Sequence, residues 1–273
     1  MGILNVTPDS FYDGGQHAGL RLALARAWEM VDEGADVLDL GGESTRPGAA
    51  SVTLTEELAR VVPVVTALVA DSYPLPISLD TSRARVARDG LAAGAVIIND
   101  VTGGTREPAI LDCVAAAGAA VVLMHMRGTP QTMQGKTGYD DVTAEVCRTL
   151  SQLCEAASRA GIPVRSQCVD PGVGFAKTAA DSLRLCATIE RLAVLDRPIL
   201  VGASRKSFLG HLFDQHGEDR LAGSLAVAGF AALHGAEVLR VHDVRATRAH
   251  LNVTMALQRA RNPVTDMAAH DRG

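Results

Sequence analysis

Four times in this chain a Gly-Ala pair closes an amphipathic stretch and opens an apolar run, at Gly34-Ala35, Gly94-Ala95, Gly118-Ala119 and Gly235-Ala236. Glycine takes up left-handed backbone without a Cβ penalty, so it ends a helix, and the apolar run that follows is the next buried strand. A chain that repeats helix, glycine and buried strand packs its helices around a parallel sheet. Eight runs qualify as strands: Ile3–Val6, Val37–Leu40, Ile77–Asp80, Val96–Asn99, Ala120–Met124, Gln167–Asp170, Ile199–Gly202 and Val238–Val241. Between them lie helical stripes, among them Leu20, Leu24, Ala27, Trp28 and Val31, and Tyr139, Val142, Val146, Leu150 and Leu153. Eight parallel strands with right-handed crossovers close into a barrel. The expected class is therefore α/β, a (β/α)8 TIM barrel in a single domain over residues 1–261, with 262–273 as a flexible C-terminal tail. A doubly wound open sheet is the alternative, but no Gly-rich dinucleotide fingerprint follows the first strand.

Charge and cysteine usage narrow the class of partner. A net charge of -5 argues against a nucleic-acid surface, which needs a basic face, so an anionic ligand has to be held by local cations. The five cysteines, Cys113, Cys147, Cys154, Cys168 and Cys186, are odd in number and contain no C-x-x-C pair, which points to a reducing cytoplasm. No apolar run approaches the length of a membrane span, and the N-terminus lacks the order of a signal peptide, so neither membrane nor export is expected. Met1 and Gly2 open directly into the first strand, an arrangement expected of a truncated chain or an alternative start.

In such a barrel, function gathers at the C-terminal ends of the strands. Here those ends carry Asn5, Asp39, Asp80, Asn99, Asp100, His125, Asp170, Lys206, Arg240 and His242. Buried polar groups without partners cost roughly 1–3 kcal/mol each, so such a ring satisfies itself or a ligand. For Asp39 or His125 taken singly, an internal hydrogen bond is the simpler reading; for the ring as a whole, a site is. After the seventh strand, Ser204, Arg205, Lys206 and Ser207 lie where a strand hands over to a helix, a setting that suits an anion and equally a solvated basic loop. Long loops at 7–15, 41–50 and 126–138, rich in Gly, Pro, Ser and Thr, read as clamps or as plain connections.

The residue types ask for a narrow range of ligands. Asp80, Asn99 and Asp170 offer acceptors to a polar heterocycle with several N–H groups, such as an amino-pyrimidine edge. Arg240, His242, Lys206 and Arg46 offer donors to an anion such as pyrophosphate. Asn5 could hold Mg²⁺ together with substrate oxygens, or simply form a turn.

Eight blocks, MGILNVTPDSFYDGG, GADVLDLGGESTRPGA, ISLDTSRARVA, IINDVTGG, VVLMHMRGTPQTMQ, DPGVGFAKT, ILVGASRKSFLG and VLRVHDV, follow one another in an order that resembles the dihydropteroate synthases, a family of pterin-binding barrels. The resemblance runs from Met1 to about Leu257 and implies a cytoplasmic, homodimeric transferase of folate biosynthesis and a sulfonamide target. Such an enzyme condenses 6-hydroxymethyl-7,8-dihydropterin diphosphate with p-aminobenzoate. By position, it implies that Asp80, Asn99, Asp170 and Lys206 hold the pterin, with Phe175, Gly202 and Met124 lining its slot. It further implies that Thr45 contacts the diphosphate, Arg240 and His242 bind its phosphates, Ser207 meets the p-aminobenzoate carboxylate, and Asn5 is the side-chain ligand of Mg²⁺. Asp80, Asp170, Lys206 and Arg240 are the residues it implies for catalysis.

Overall fold

The computed structural model describes residues 1–6, 15–44, 52–213 and 220–261. Thr45, Arg46, much of the first two loops and the tail from 262 onward lie outside the described residues. Strands β1 (Gly2–Asn5), β2 (Leu38–Gly41), β3 (Ile77–Asp80), β4 (Ile97–Asp100), β5 (Ala120–Met124) and β6 (Gln167–Asp170) form a parallel sheet in sequence order. The last two, β7 (Leu200–Val201) and β8 (Val238–Leu239), are shorter than the apolar runs around them and pair with each other. Single bridges, Val169 with Ile199 and Gly2 with Val241, join that pair to both edges of the six and close the barrel. The Ile3 N–H donates to the Val241 carbonyl at 2.9 Å across the last seam.

The helices are α1 (Gly15–Asp32), α2 (Leu54–Ala70), α3 (Ala84–Ala93), α4 (Ala109–Ala117), α5 (Val142–Arg159), α6 (Ala179–Ala187), α7 (Ser207–Phe213), α8 (Arg220–Leu233) and α9 (Val244–Arg261). All four glycines of the Gly-Ala pairs are left-handed, with φ between +63° and +116°. In each pair the alanine N–H reaches back to a carbonyl in the last helical turn, as Ala35 to Met30 and Ala236 to Ala231, both at 2.9 Å. These bonds satisfy carbonyls that a helix end leaves orphaned and aim the chain into the next strand.

Two helical stripes differ from the sequence expectation. In α1 the buried residues include Ala23, Ala27 and Met30, while Trp28 stays 38% exposed and meets the Tyr73 ring edge-on at 5.3 Å. The small alanines face the barrel, and the bulky indole lies toward solvent against Tyr73. Tyr139 precedes α5, which starts only after Asp141 caps it by accepting from the Ala144 N–H at 3.0 Å.

Alternation along the strands sorts the residues between two cores. Leu38, Leu40, Ile77, Leu79, Ile98, Val121, Leu123 and Val169 face outward and pack with Val61, Val65, Val86, Ile110, Val146 and Leu150 of the helices. The residues between them, Asp39, Ser78, Asp80, Asn99 and Asp170, therefore point into the barrel.

A candidate active site at the barrel mouth

Asp39 is wholly buried and is the hub of the interior. Its Oδ1 accepts from Ser78 Oγ at 2.6 Å, and its Oδ2 accepts from Asn99 Nδ2 at 3.1 Å and from Arg240 Nε at 2.6 Å. The second arm of Arg240, Nη2, donates to Asp80 Oδ2 at 2.7 Å. One guanidinium just past β8 thus bridges carboxylates from β2 and β3. Burial works against the charge on Arg240, but Asp39 and Asp80 outweigh it and hold the group above its ordinary range. Burial pushes Asp80 up to about 7, opposed by Arg240 and reinforced by Asp39.

Across the mouth, Asp170 Oδ1 accepts from the Gly172 N–H at 2.7 Å, and burial raises its carboxyl against the pull of Lys206. Lys206 donates to the Val173 carbonyl and stands 4.6 Å from the Phe175 ring centroid. Burial lowers its ammonium to about 8, with Asp170 holding it up. A Cβ built at Gly202 would lie 3.8 Å from Arg240 Cβ and 4.0 Å from Asp170 Oδ2, so the bare glycine leaves the floor between them open. At Gly41 a Cβ would come within 3.5 Å of Asn5 Oδ1 and 3.6 Å of Asp80 Cβ, which sets the Asn5 amide oxygen beside the same opening.

Residues 1–242 match the family described as pterin binding enzyme. A dihydropteroate synthase of Synechocystis sp. is 46% identical over 260 residues, covering 95% of this chain and 90% of that protein. This chain belongs to the dihydropteroate synthase family. Two structures of the Xanthomonas albilineans family member agree with it closely. The one with 4-aminobenzoic acid has a TM-score of 0.88 at 49% identity, covering 94% of this chain and 92% of that one. The one with 7,8-dihydropteroate has a TM-score of 0.85 at 47% identity, with the same coverages of 94% and 92%.

Of the residues that the family resemblance pointed to, Asp80, Asn99, Asp170, Phe175, Lys206 and Arg240 converge on the mouth, and Asn5 borders it. His242 is half-buried beside them, its Nδ1 3.1 Å from Ser204 Oγ. Ser207 is exposed at the start of α7. The basic quartet after β7 divides: Lys206 enters the barrel mouth, whereas Arg205 pairs with Asp243. Asp100 faces away, its carboxylate accepting from the Thr102 and Gly104 N–H groups at 2.8 and 2.7 Å. His125 is likewise internal, within 2.9 Å of Lys177 Nζ.

Two buried residues stand outside the set that the family resemblance implied. Asp39 belonged to the polar ring, yet its place as the hub shows only when β2, β3, β4 and β8 are brought together. Lys177, 6% exposed, carries no periodic signal in DPGVGFAKT.

Proposed function

We propose that this chain condenses 6-hydroxymethyl-7,8-dihydropterin diphosphate with p-aminobenzoate, giving 7,8-dihydropteroate and pyrophosphate as a step of folate biosynthesis. The observation that carries this reading is the convergence on one mouth of the acceptors Asp80, Asn99 and Asp170 with two cations, Arg240 beside Asp80 and Lys206 facing Asp170. The acceptors match the N–H groups of a pterin ring, Lys206 matches its acceptor edge, and Arg240 matches its diphosphate. The 4-aminobenzoic acid and 7,8-dihydropteroate held by the Xanthomonas albilineans family member support the same amine substrate and product here.

The path that suits these residues is dissociative. The bond from the exocyclic carbon to the diphosphate oxygen breaks first, and its electron pair leaves with pyrophosphate. The pterin-stabilised cation is then attacked by the amine nitrogen of p-aminobenzoate, which afterwards gives up a proton to water. Asp80 and Asp170 put negative charge beside the ring as it becomes cationic, and Lys206 orients it over Phe175. Arg240 and His242 neutralise the leaving group, Thr45 contacts it, and Ser207 receives the p-aminobenzoate carboxylate. No nucleophilic side chain is needed.

Among the described residues no group of three or more acidic, His or Cys side chains forms a metal cage. A lone amide oxygen, Asn5 Oδ1, at the edge of the mouth fits Mg²⁺, which binds through substrate phosphates and water more readily than through an all-protein cage. When bound, the ion supplies Lewis-acid stabilisation of the departing pyrophosphate.

Among the described residues no helix is long and apolar enough to cross a membrane. A cytoplasmic location and a homodimer are part of the same proposal. The exposed Phe230, Leu233, Val253 and Leu257 of α8 and α9 support the dimer, which light scattering of the purified protein checks.

The test is turnover: purified protein with Mg²⁺, the pterin diphosphate and p-aminobenzoate releases pyrophosphate and forms dihydropteroate, and omission of Mg²⁺ slows it. A folded sample that binds the pterin and forms no product overturns the proposal.

A further inference from the structure

The turn from Gly172 to Lys177 builds much of the mouth, since it supplies a backbone donor to Asp170, a carbonyl to Lys206 and the Phe175 ring. It is also strained. Gly172 and Gly174 take positive φ, +68° and +81°, without penalty, but Ala176 does so at +50° with a side chain, and the strain sits there. Such a turn persists only where its surroundings over-determine it.

The surroundings include one residue of unusual placement. Lys177 is 6% exposed, and hydrogen bonds tie its ammonium to His125 Nδ1 at 2.9 Å, the Phe175 carbonyl at 2.9 Å and the His125 carbonyl at 3.4 Å. The turn lies tight against the same place, because a Cβ at Gly172 would fall 2.0 Å from the His125 carbonyl oxygen. Elsewhere the turn is held by Tyr139 Oη donating to the Ala176 carbonyl at 2.9 Å and by the Gly174 N–H donating to Ser182 Oγ at 3.2 Å. Among these ties, the Lys177 ammonium is the one that meets the Phe175 carbonyl and joins it to the segment after β5.

We infer that Lys177 is a positioning residue for the pterin slot: it fastens the strained Gly172–Lys177 turn to the end of β5 and thereby sets Asp170, Phe175 and Lys206 at the spacing that the ring needs. This rests on the reading of the mouth as a pterin site. Burial lowers Lys177 to about 7 and Asp170 opposes the shift, while burial and the facing Lys177 lower His125 to about 3. A neutral His125 accepts at Nδ1, and both the ammonium and the free amine of Lys177 have protons to donate, so the tie works in either protonation state.

The experiment uses the full chain with Lys177→Met and reads two quantities, the dissociation constant for the pterin diphosphate by calorimetry and kcat. Loss of the tie is expected to weaken pterin binding roughly tenfold while kcat at saturation falls less than about threefold, with Lys177→Gln recovering part of the affinity. Wild-type pterin affinity in Lys177→Met, or a fall in kcat at unaltered affinity, overturns the inference. If Lys177→Met does not fold, His125→Leu removes one anchor of the tie and is read by the same two quantities, with the same outcomes. Asp170→Asn runs alongside: weakened pterin binding there upholds the slot, whereas unaltered binding removes the slot reading itself and the Lys177 assignment with it.

Discussion

Arg240 lies between two carboxylates, its Nε 2.6 Å from Asp39 Oδ2 and its Nη2 2.7 Å from Asp80 Oδ2. The flat fork of a guanidinium reaches both at once, which a single ammonium does not. Arg240→Lys is therefore expected to leave one acid without its partner and to cost on the order of 2–4 kcal/mol of stability, together with a large loss of turnover. Chemical denaturation and an activity assay check it; an unchanged denaturation midpoint contradicts it.

Asp39→Asn tests the hub from the other side. The amide keeps the shape but not the charge, and half of its donor and acceptor pattern now faces the N–H groups of Asn99 and Arg240. A loss of about 3 kcal/mol is expected. A variant as stable as wild type shows that the buried charge is not needed.

Pterin affinity should follow a bell-shaped pH profile. Below about 7 Asp80 takes up a proton and ceases to be an anionic acceptor, and above about 8 Lys206 gives one up and ceases to be a cationic donor. The maximum lies between these values. Asp80→Asn removes the acid limb and Lys206→Met the alkaline limb, as titration calorimetry across pH reads directly; a flat wild-type profile is the contrary result.

Gly172→Ala forces a side chain onto a left-handed residue and against a backbone oxygen 2.0 Å away. Backbone does not swing aside as a flexible side chain does, so a loss of roughly 3 kcal/mol or more is expected. Gly118→Ala is the control, since its φ of +63° costs a little and nothing lies within 4 Å of the added Cβ. Equal melting temperatures for the two variants refute the account.

The repeat of left-handed glycines made the barrel legible, because local chemistry at Gly34, Gly94, Gly118 and Gly235 sets each helix end regardless of what packs later. The mouth was legible residue by residue at Asp80, Asn99, Asp170, Lys206 and Arg240, all close to strand ends. What stayed hidden depends on contacts far apart in sequence. The partner of Asp39 is Arg240, 201 residues on, and that of Lys177 is His125, 52 residues back. Arg205 and Lys206 looked alike as neighbours, yet Arg205 has a left-handed backbone, φ +57°, and the two side chains part company.

The way the barrel closes gives the mouth a second task. Asp39, Asp80, Asn99 and Asp170 ride on the six-stranded sheet, whereas Lys206 follows β7 and Arg240 follows β8 on the separate pair, and each seam between the two parts has a single bridge. The ion pairs of Arg240 are therefore rivets across a joint as well as parts of a pocket. A ligand that takes Asp80 for itself draws one rivet, and the energy of docking is coupled to how firmly the two leaves of the molecule stay fastened.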